Sequence, residues 1–439
     1  MTATSPDLLE RIRQQFNNAP YPRIPLERSP KENYASLYVH NLVTPYYLRD
    51  QKVVSTEGKL ILDVGCGSGY TSLTLAEANP GAKVFGIDIS EASIDLARKR
   101  LSHYSFNNAE FHVLGVEELS ELNISFDYIN CDEVLYLLID PVAGLQAMRD
   151  VLKPDGIIRA NFHSSLQRRV YLQVQKFSEM IGLMDLDSQE QELSMLREIM
   201  RNLKPEVFAK RAGWAPHFET NDQSVLSNHL LRGDKGWSIL EFFDALDQTS
   251  LEFISMVNWP SWDLLTLFSD ITELPIEVGL KLASASPREQ LHMYELLNPI
   301  THRLLDLWCG AADGGLTSKP VDSWSQAVWR SAKACFHPQL LTDSFKTALI
   351  EAVTQNNPFD FDIHLSGYGG NTRVDSLFVA SLLPMLEGAQ TVETLLQRWL
   401  QLRPINPLTL APSCEDEAFC SVQTQLQQLQ ELGYILLEL

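Results

Sequence analysis

Between residues 55 and 165 the apolar positions fall into short continuous runs that alternate with stretches of helical spacing. KLILDVG (59–65) is an apolar run closed by glycine and predicts a buried strand, and TSLTLAEA (71–78) has the spacing of a helix. AKVFGIDI (82–89) predicts a second strand, followed by a helix over 90–102 with Ser90 as its N-cap. AEFHVLG (109–115) and FDYINCD (126–132) predict strands three and four. GLQAMRDVL (144–152) predicts a helix and IIRANF (157–162) a fifth strand. Strands and helices alternating at this pace imply βαβ units, hence an α/β fold with a doubly wound, mostly parallel sheet.

The flanking segments pattern differently. Residues 6–18 read as a short helix, and the proline-punctuated PYPRIPLERSP (20–30) must be extended or turning. YASLYVHNLVTPYYL (34–48) reads as helical until Pro45 interrupts it. Two helices are predicted over 165–203, separated around 185–188, then a looser stretch over 214–237. A helix at 238–248 and a strand at 251–257 read as a return to the sheet. That makes 165–237 an insertion above the carboxyl ends of the strands, where ligands of such sheets bind. Beyond about residue 270 the chain reads mostly helical, with a glycine-rich loop at 367–370. It ends on two helices (392–401 and 422–433) and YILLEL, the order of a winged-helix-like module. The expected division is a helical cap (1–50), a sheet domain with a lid-like insertion (51–265) and a mostly helical C-terminal domain (266–439).

Composition narrows the class. A chain of 439 residues suggests two or three domains, and 45% hydrophobic with 21% charged residues fits a globular protein. The first 30 residues lack a signal-like apolar stretch, and no run of roughly 20 apolar residues predicts a membrane span, so a cytoplasmic protein is expected. The six cysteines are scattered without a CxxC pair, which predicts reduced thiols and no metal site. Net charge is −21, of which residues 1–170 carry only −4 and the remainder −17. So acidic a surface repels a phosphate backbone and argues against nucleic acid as a partner. Oligomeric state is not legible.

The chemistry concentrates in Asp63-Val64-Gly65-Cys66-Gly67-Ser68-Gly69, between a predicted strand and a predicted helix. Glycines there let a ligand approach the main chain. A dinucleotide loop has GxGxxG and seats a pyrophosphate on the helix N-terminus. Here the spacing is GxGxG, and Tyr70 stands where the last glycine of such a loop belongs. Asp63 before the loop is badly placed against a pyrophosphate and well placed for an ammonium group. Asp88, 19 residues after Gly69, ends the second strand, where a carboxylate can accept from both ribose hydroxyls. Capping of the next helix is the competing reading for Asp88.

These segments resemble the class I S-adenosylmethionine (SAM) dependent methyltransferases. ILDVGCGSG (61–69) is similar to their first motif and VFGIDIS (84–90) to their second. FDYINCDEVLYLLIDP (126–141) is similar to the fourth-strand motif and LKPDG (152–156) to the turn before the fifth strand. The close resemblance covers 55–165. Residues 224–257 are weakly similar to the end of the catalytic domain in bacterial methyltransferases that carry an extra C-terminal domain.

The resemblance implies that Gly65, Gly67 and Gly69 pass under the methionine part of SAM, with Cys66 between them, and that Asp63 faces the ammonium group. Asp88, followed by Ile89, takes the ribose, and Val116 and Glu117 border the adenine. Asp132 lies near the sulfonium. The chain departs from many relatives at Gly115, where they have an aspartate. His163 after the fifth strand is the candidate base or acceptor-positioning group, and Tyr136 a candidate acceptor contact. Tyr21, Tyr38, His40 and His229 are candidates for capping the pocket. The expected activity is methyl transfer to an O, N or C atom of a small molecule or natural-product intermediate. The alternatives are a protein or peptide side chain as acceptor, or a non-catalytic scaffold with a degenerate methyltransferase fold.

Overall fold

A computed structural model describes residues 5–18, 20–186, 188–300, 303–312, 320–365 and 373–439. The N-terminal segment forms helices α1 (Ser5–Asn18), α2 (Tyr34–His40) and α3 (Val43–Asp50). The sheet strands are β1 (Leu60–Val64), β2 (Lys83–Asp88), β3 (Glu110–Val113), β4 (Phe126–Cys131), β5 (Leu152–Phe162), β6 (Leu251–Met256) and β7 (Leu305–Ala311). Between them run α4 (Tyr70–Ala78), α5 (Glu91–His103) and α6 (Pro141–Asp150). The sheet order is β3-β2-β1-β4-β5-β7-β6. The first five strands are parallel, and β7 lies antiparallel to both of its neighbours.

Both faces of the sheet are covered, which is why its strands read as continuous apolar runs. On one side Ile61, Val84 and Tyr128 pack with Tyr46 of α3, Leu73 of α4 and Ile94 and Ala97 of α5. On the other, Leu62, Phe85 and Ile129 pack with Leu145 and Met148 of α6 and with Phe242. Asp63 stands in the middle of the sheet, paired in register with Gly86 on one side and Asn130 on the other.

Two expectations need correction. Pro45 does not end a helix: the break falls at Asn41–Leu42, and Pro45 sits in the first turn of α3, where its missing N–H has no helical acceptor to lose. The chain beyond 270 is mostly helical, as expected, and it also supplies β7, which inserts between β5 and β6, so β6 pairs with β7 and not with β5. A domain boundary at 265 therefore cuts the sheet, which runs on to residue 311. The glycine-rich loop expected at 367–370 lies outside the described residues.

The C-terminal segment has its own core and a three-stranded sheet in which Lys333–Phe336 pairs antiparallel with Gln390–Thr391 and with Ile435–Glu438. It is fastened to the N-terminal helices. The Tyr47 hydroxyl donates to the Leu437 carbonyl (3.2 Å) and accepts from the Leu437 N–H (2.9 Å), and Gln339 Nε2 donates to the Ala78 carbonyl (2.7 Å). His337 is fully buried in this seam, with Nε2 2.9 Å from Thr44 Oγ1 and Nδ1 accepting from the Gln339 N–H.

Burial pushes the His337 pKa down to about 3. Because this lies below the unfolded value, the unfolded state takes up the proton first, and stability falls as pH drops from 6.5 toward 3. The expected loss is about 1.4 kcal/mol per pH unit in that window, so about 2 kcal/mol by pH 5. Urea unfolding of wild type and His337→Gln at pH 7 and pH 5 checks this. The stability advantage of the wild type should shrink on acidification, and a constant difference would contradict it.

Candidate active site

A cavity of about 480 Å³ opens at the carboxyl ends of β1, β2, β4 and β5. Gly65, Cys66 and Gly67 form part of its wall, together with Asp88, Ile89, Val116, Glu117, Asp132, Tyr136 and His163. Ten of the twelve residues expected to bind the cofactor or act on the acceptor therefore meet at one cavity. Asp63 and Gly69 do not.

Gly69 has φ +78° and begins α4, and a Cβ there would lie 2.6 Å from the Ala97 Cα. Its lack of a side chain lets α4 and α5 touch. Asp63 is buried behind the turn. Its Oδ2 accepts from Ser72 Oγ (2.6 Å) and its Oδ1 from Asn130 Nδ2 (2.9 Å), and burial raises its pKa to about 6 against the pull of these two donors. A carboxylate so enclosed anchors the turn from behind the cavity wall.

Asp88 faces the cavity from the end of β2. One oxygen accepts the Gly67 N–H (3.0 Å) and the other the Ser90 N–H (2.8 Å); burial raises its pKa while these two amides pull it back. Ser90 caps α5 with its own hydroxyl, which accepts from the Ser93 N–H. The capping reading for Asp88 is thus replaced by a bridge that fixes the glycine turn. Gly115, where relatives carry an aspartate, donates its N–H to Glu118 Oε2 (2.9 Å), and Glu117 turns to the cavity in its place.

The N-terminal segment is strapped across the turn. Gly67 has φ +49°, and a Cβ there would come within 2.1 Å of the Tyr21 carbonyl oxygen, so only glycine admits the strap. Ser68 donates its N–H to the Tyr21 carbonyl (2.8 Å) and its hydroxyl to the Pro22 carbonyl (2.7 Å). The buried Arg100 guanidinium donates to the carbonyls of Ser68, Ile24 and Pro25. Leu9, Ile12 and Phe16 of α1 complete the roof. Nothing in the local pattern around Arg100 signals this; it lies in an ordinary amphipathic helix, and its partners are backbone atoms far away in the chain.

At the other end of the cavity two acids leave β4. Asn161 holds both: its Nδ2 donates to Asp132 Oδ1, and its Oδ1 accepts the Glu133 N–H (2.6 Å). Glu133 has φ +57°, a left-handed conformation uncommon for a side-chain-bearing residue. Burial alone would raise the Asp132 pKa, but Arg159, His40 and Asn161 outweigh it and hold the carboxyl well below the usual carboxylate range. Arg159 is the hub: it grips Asp306 with two bonds (2.9 and 2.6 Å), donates to Asn130 Oδ1 (2.8 Å) and stands 3.4 Å from Asp132.

His163 Nε2 lies 3.5 Å from Glu133 Oε1, and the Tyr136 ring meets the imidazole edge-on at 5.3 Å. Burial holds the Tyr136 phenol protonated, well above its ordinary pKa. The insertion contributes Arg168, Ser227, Asn228 and Leu231. Arg168 is locked into a buried ion pair with Asp234 (2.6 Å) and donates to Asn228 Oδ1 (3.0 Å).

Of the proposed capping residues, Tyr21 reaches this cavity. His40 sits behind Asp132 in the Arg159 network, Tyr38 packs in the C-terminal core, and His229 is buried with Nε2 at the Gly213 carbonyl (2.8 Å) among Tyr171, Trp214 and Phe218. No group of three or more His, Cys, Asp or Glu among the described residues is arranged to hold a metal ion. No helix among them is long and apolar enough to cross a membrane.

Residues 55–201 match the family model described as a methyltransferase domain. Among curated proteins, the chain is 31% identical over 144 residues to a ubiquinone biosynthesis O-methyltransferase of Actinobacillus pleuropneumoniae, covering 32% of this chain and 58% of that protein. It is 39% identical over 114 residues to its namesake from Idiomarina loihiensis, covering 26% and 44%. The chain thus spans about half the length of these relatives. Among solved structures it is similar to PKMT2 from Rickettsia typhi in complex with AdoHcy, with a TM-score of 0.59 at 16% identity, over 95% of this chain and 77% of that one. That likeness shows the fold, a Rossmann-like sheet flanked by helices.

Proposed function

We propose that this protein is a SAM-dependent methyltransferase acting on a small-molecule acceptor. The observation that carries the reading is the convergence of the glycine turn, Asp88 and the Asp132–Glu133–His163 group on one cavity. The donor set suits a cationic nucleoside without phosphates. Asp88, Glu117, Asp132 and Glu133 line the cavity, and the one guanidinium there among the described residues, Arg168, is neutralised by Asp234. A pyrophosphate finds no free cation; a sulfonium and an ammonium find carboxylates.

In this reading Asp88 takes the ribose hydroxyls, the Gly65–Gly67 main chain borders the amino-acid part, and Val116 and Glu117 flank the base. SAM, when bound, supplies an electrophilic methyl group on a positively charged sulfur. Orientation of the acceptor against it by Tyr136, His163 and the insertion provides much of the acceleration. Where the acceptor must lose a proton, His163 accepts it, and the Glu133 carboxylate beside Nε2 stabilises the imidazolium. The Tyr21 strap and α1 exclude water.

The test is transfer of label from methyl-tritiated SAM into a cell extract. Label is expected in the low-molecular-weight fraction; label confined to protein would replace the small-molecule acceptor by a protein or peptide. His163→Ala should lower the rate by roughly 10²–10⁴-fold with SAH (S-adenosylhomocysteine) affinity unchanged. A rate within twofold of wild type removes His163 from the chemistry.

A further inference from the structure

A second cavity, of about 650 Å³, lies beside the first, and Leu304 lines both. The sheet register explains the adjacency. Phe162 of β5 pairs with Leu305 of β7, so Leu304 comes level with His163 at the carboxyl edge of β5. Beyond Leu304 the second cavity continues over the start of β7, between Tyr38 of α2 and Trp262.

Its walls are apolar apart from Asn258, Ser261, Asp306 and Arg303, and Arg303 is the one basic residue among them. Arg303 lies flat on Trp262, its Cζ 3.7 Å from the ring centroid. Two of its N–H groups are used, one on the Tyr294 hydroxyl (3.0 Å) and one on the Ser261 carbonyl (2.6 Å), both neutral acceptors. A guanidinium has five such donors. No carboxylate among the described residues pairs with Arg303, in a chain of net charge −21. The nearby Asp306 is committed to Arg159. A half-buried cation stacked on an indole and left without a counter-ion is a ready site for an anion.

We infer that the methyl acceptor spans both cavities: its reacting atom lies beside His163, its apolar body crosses Leu304, and a remote carboxylate or phosphate pairs with Arg303. The inference rests on the proposed methyltransferase reading and names the acceptor class, an elongated apolar molecule with one anionic end. A nucleoside amino acid in the first cavity leaves little room there for more than the acceptor's reacting end, which is why the rest extends past Leu304.

The experiment is calorimetric titration of the full-length, SAH-saturated protein with 4-phenylbutyrate, 4-phenylbutyl phosphate and the neutral 4-phenylbutanamide. At least one anion should bind about tenfold or more tightly than the amide, and the better of the two identifies the anionic group. Arg303→Gln should erase that preference, Arg303→Lys should keep part of it, and Leu304→Trp should weaken all three probes by closing the passage. SAH binding, measured first on each variant, reports an intact fold. Failure of the wild type to bind SAH overturns the methyltransferase reading itself. With SAH bound, no preference for an anion, no binding of any probe, or a preference that survives Arg303→Gln overturns the acceptor assignment alone.

Discussion

Asp88→Ala is expected to weaken SAH binding by about 100-fold, or about 2.7 kcal/mol. Two losses add. The ribose hydroxyls lose a charged acceptor, worth about 1.5–3 kcal/mol per hydrogen bond. The Gly67 N–H also loses the oxygen that fixes the turn at the cavity wall. Stability should change far less, because Ser90 caps α5 by itself. Calorimetry against SAH, with a thermal melt as control, separates the two effects. An unchanged affinity with an intact melt would remove Asp88 from the binding site. Burial raises the Asp88 pKa, so its carboxylate is lost at a higher pH than an ordinary aspartate's. Wild-type affinity should therefore decline on acidification more than the affinity of Asp88→Asn, in which no charge is titrated.

Arg159→Met should cost about 3–5 kcal/mol of folding stability at pH 7, the range for removing one partner of a buried ion pair. The guanidinium holds Asp306, Asp132 and Asn130 at once and is itself fully enclosed. Without it two carboxylates share an apolar site with only His40 and amide donors near them. Asp306→Asn in the Arg159→Met background should recover part of the loss, since it removes one orphaned charge. Urea unfolding of the single and double variants measures both quantities. A single-variant cost under about 1 kcal/mol would mean that water or a rearranged His40 replaces the guanidinium, and the network would then be incidental to the fold.

How far the chain declares itself depends on the range over which each feature is determined. The five parallel strands were legible because most of them are short, largely apolar runs, and helical spacing opened by a cap such as Ser90 follows several of them. The cavity residues were legible for a related reason: they sit at the carboxyl ends of those strands, so locating the strands locates them. The anchoring of Asp63 was not legible, because its partners Ser72 and Asn130 come from a neighbouring helix and strand. β7 was missed because LDLWCGA is a short apolar run among helices, and its place between β5 and β6 is set by pairing alone. The Arg159 hub and the Arg100 strap were invisible for the same reason: each joins atoms distant in sequence, and an arginine inside a strand or a helix announces no partner.

In the proposed reading the turn at Gly65–Gly67 with Asp88 holds a phosphate-free nucleoside carrying an amino-acid end. Side-by-side calorimetric titration of the unliganded protein with SAH and with NAD⁺ tests it most directly. One SAH should bind per chain in the micromolar range or tighter, and NAD⁺ should give no heat beyond dilution. Tight NAD⁺ binding, or a folded protein indifferent to SAH, would contradict it.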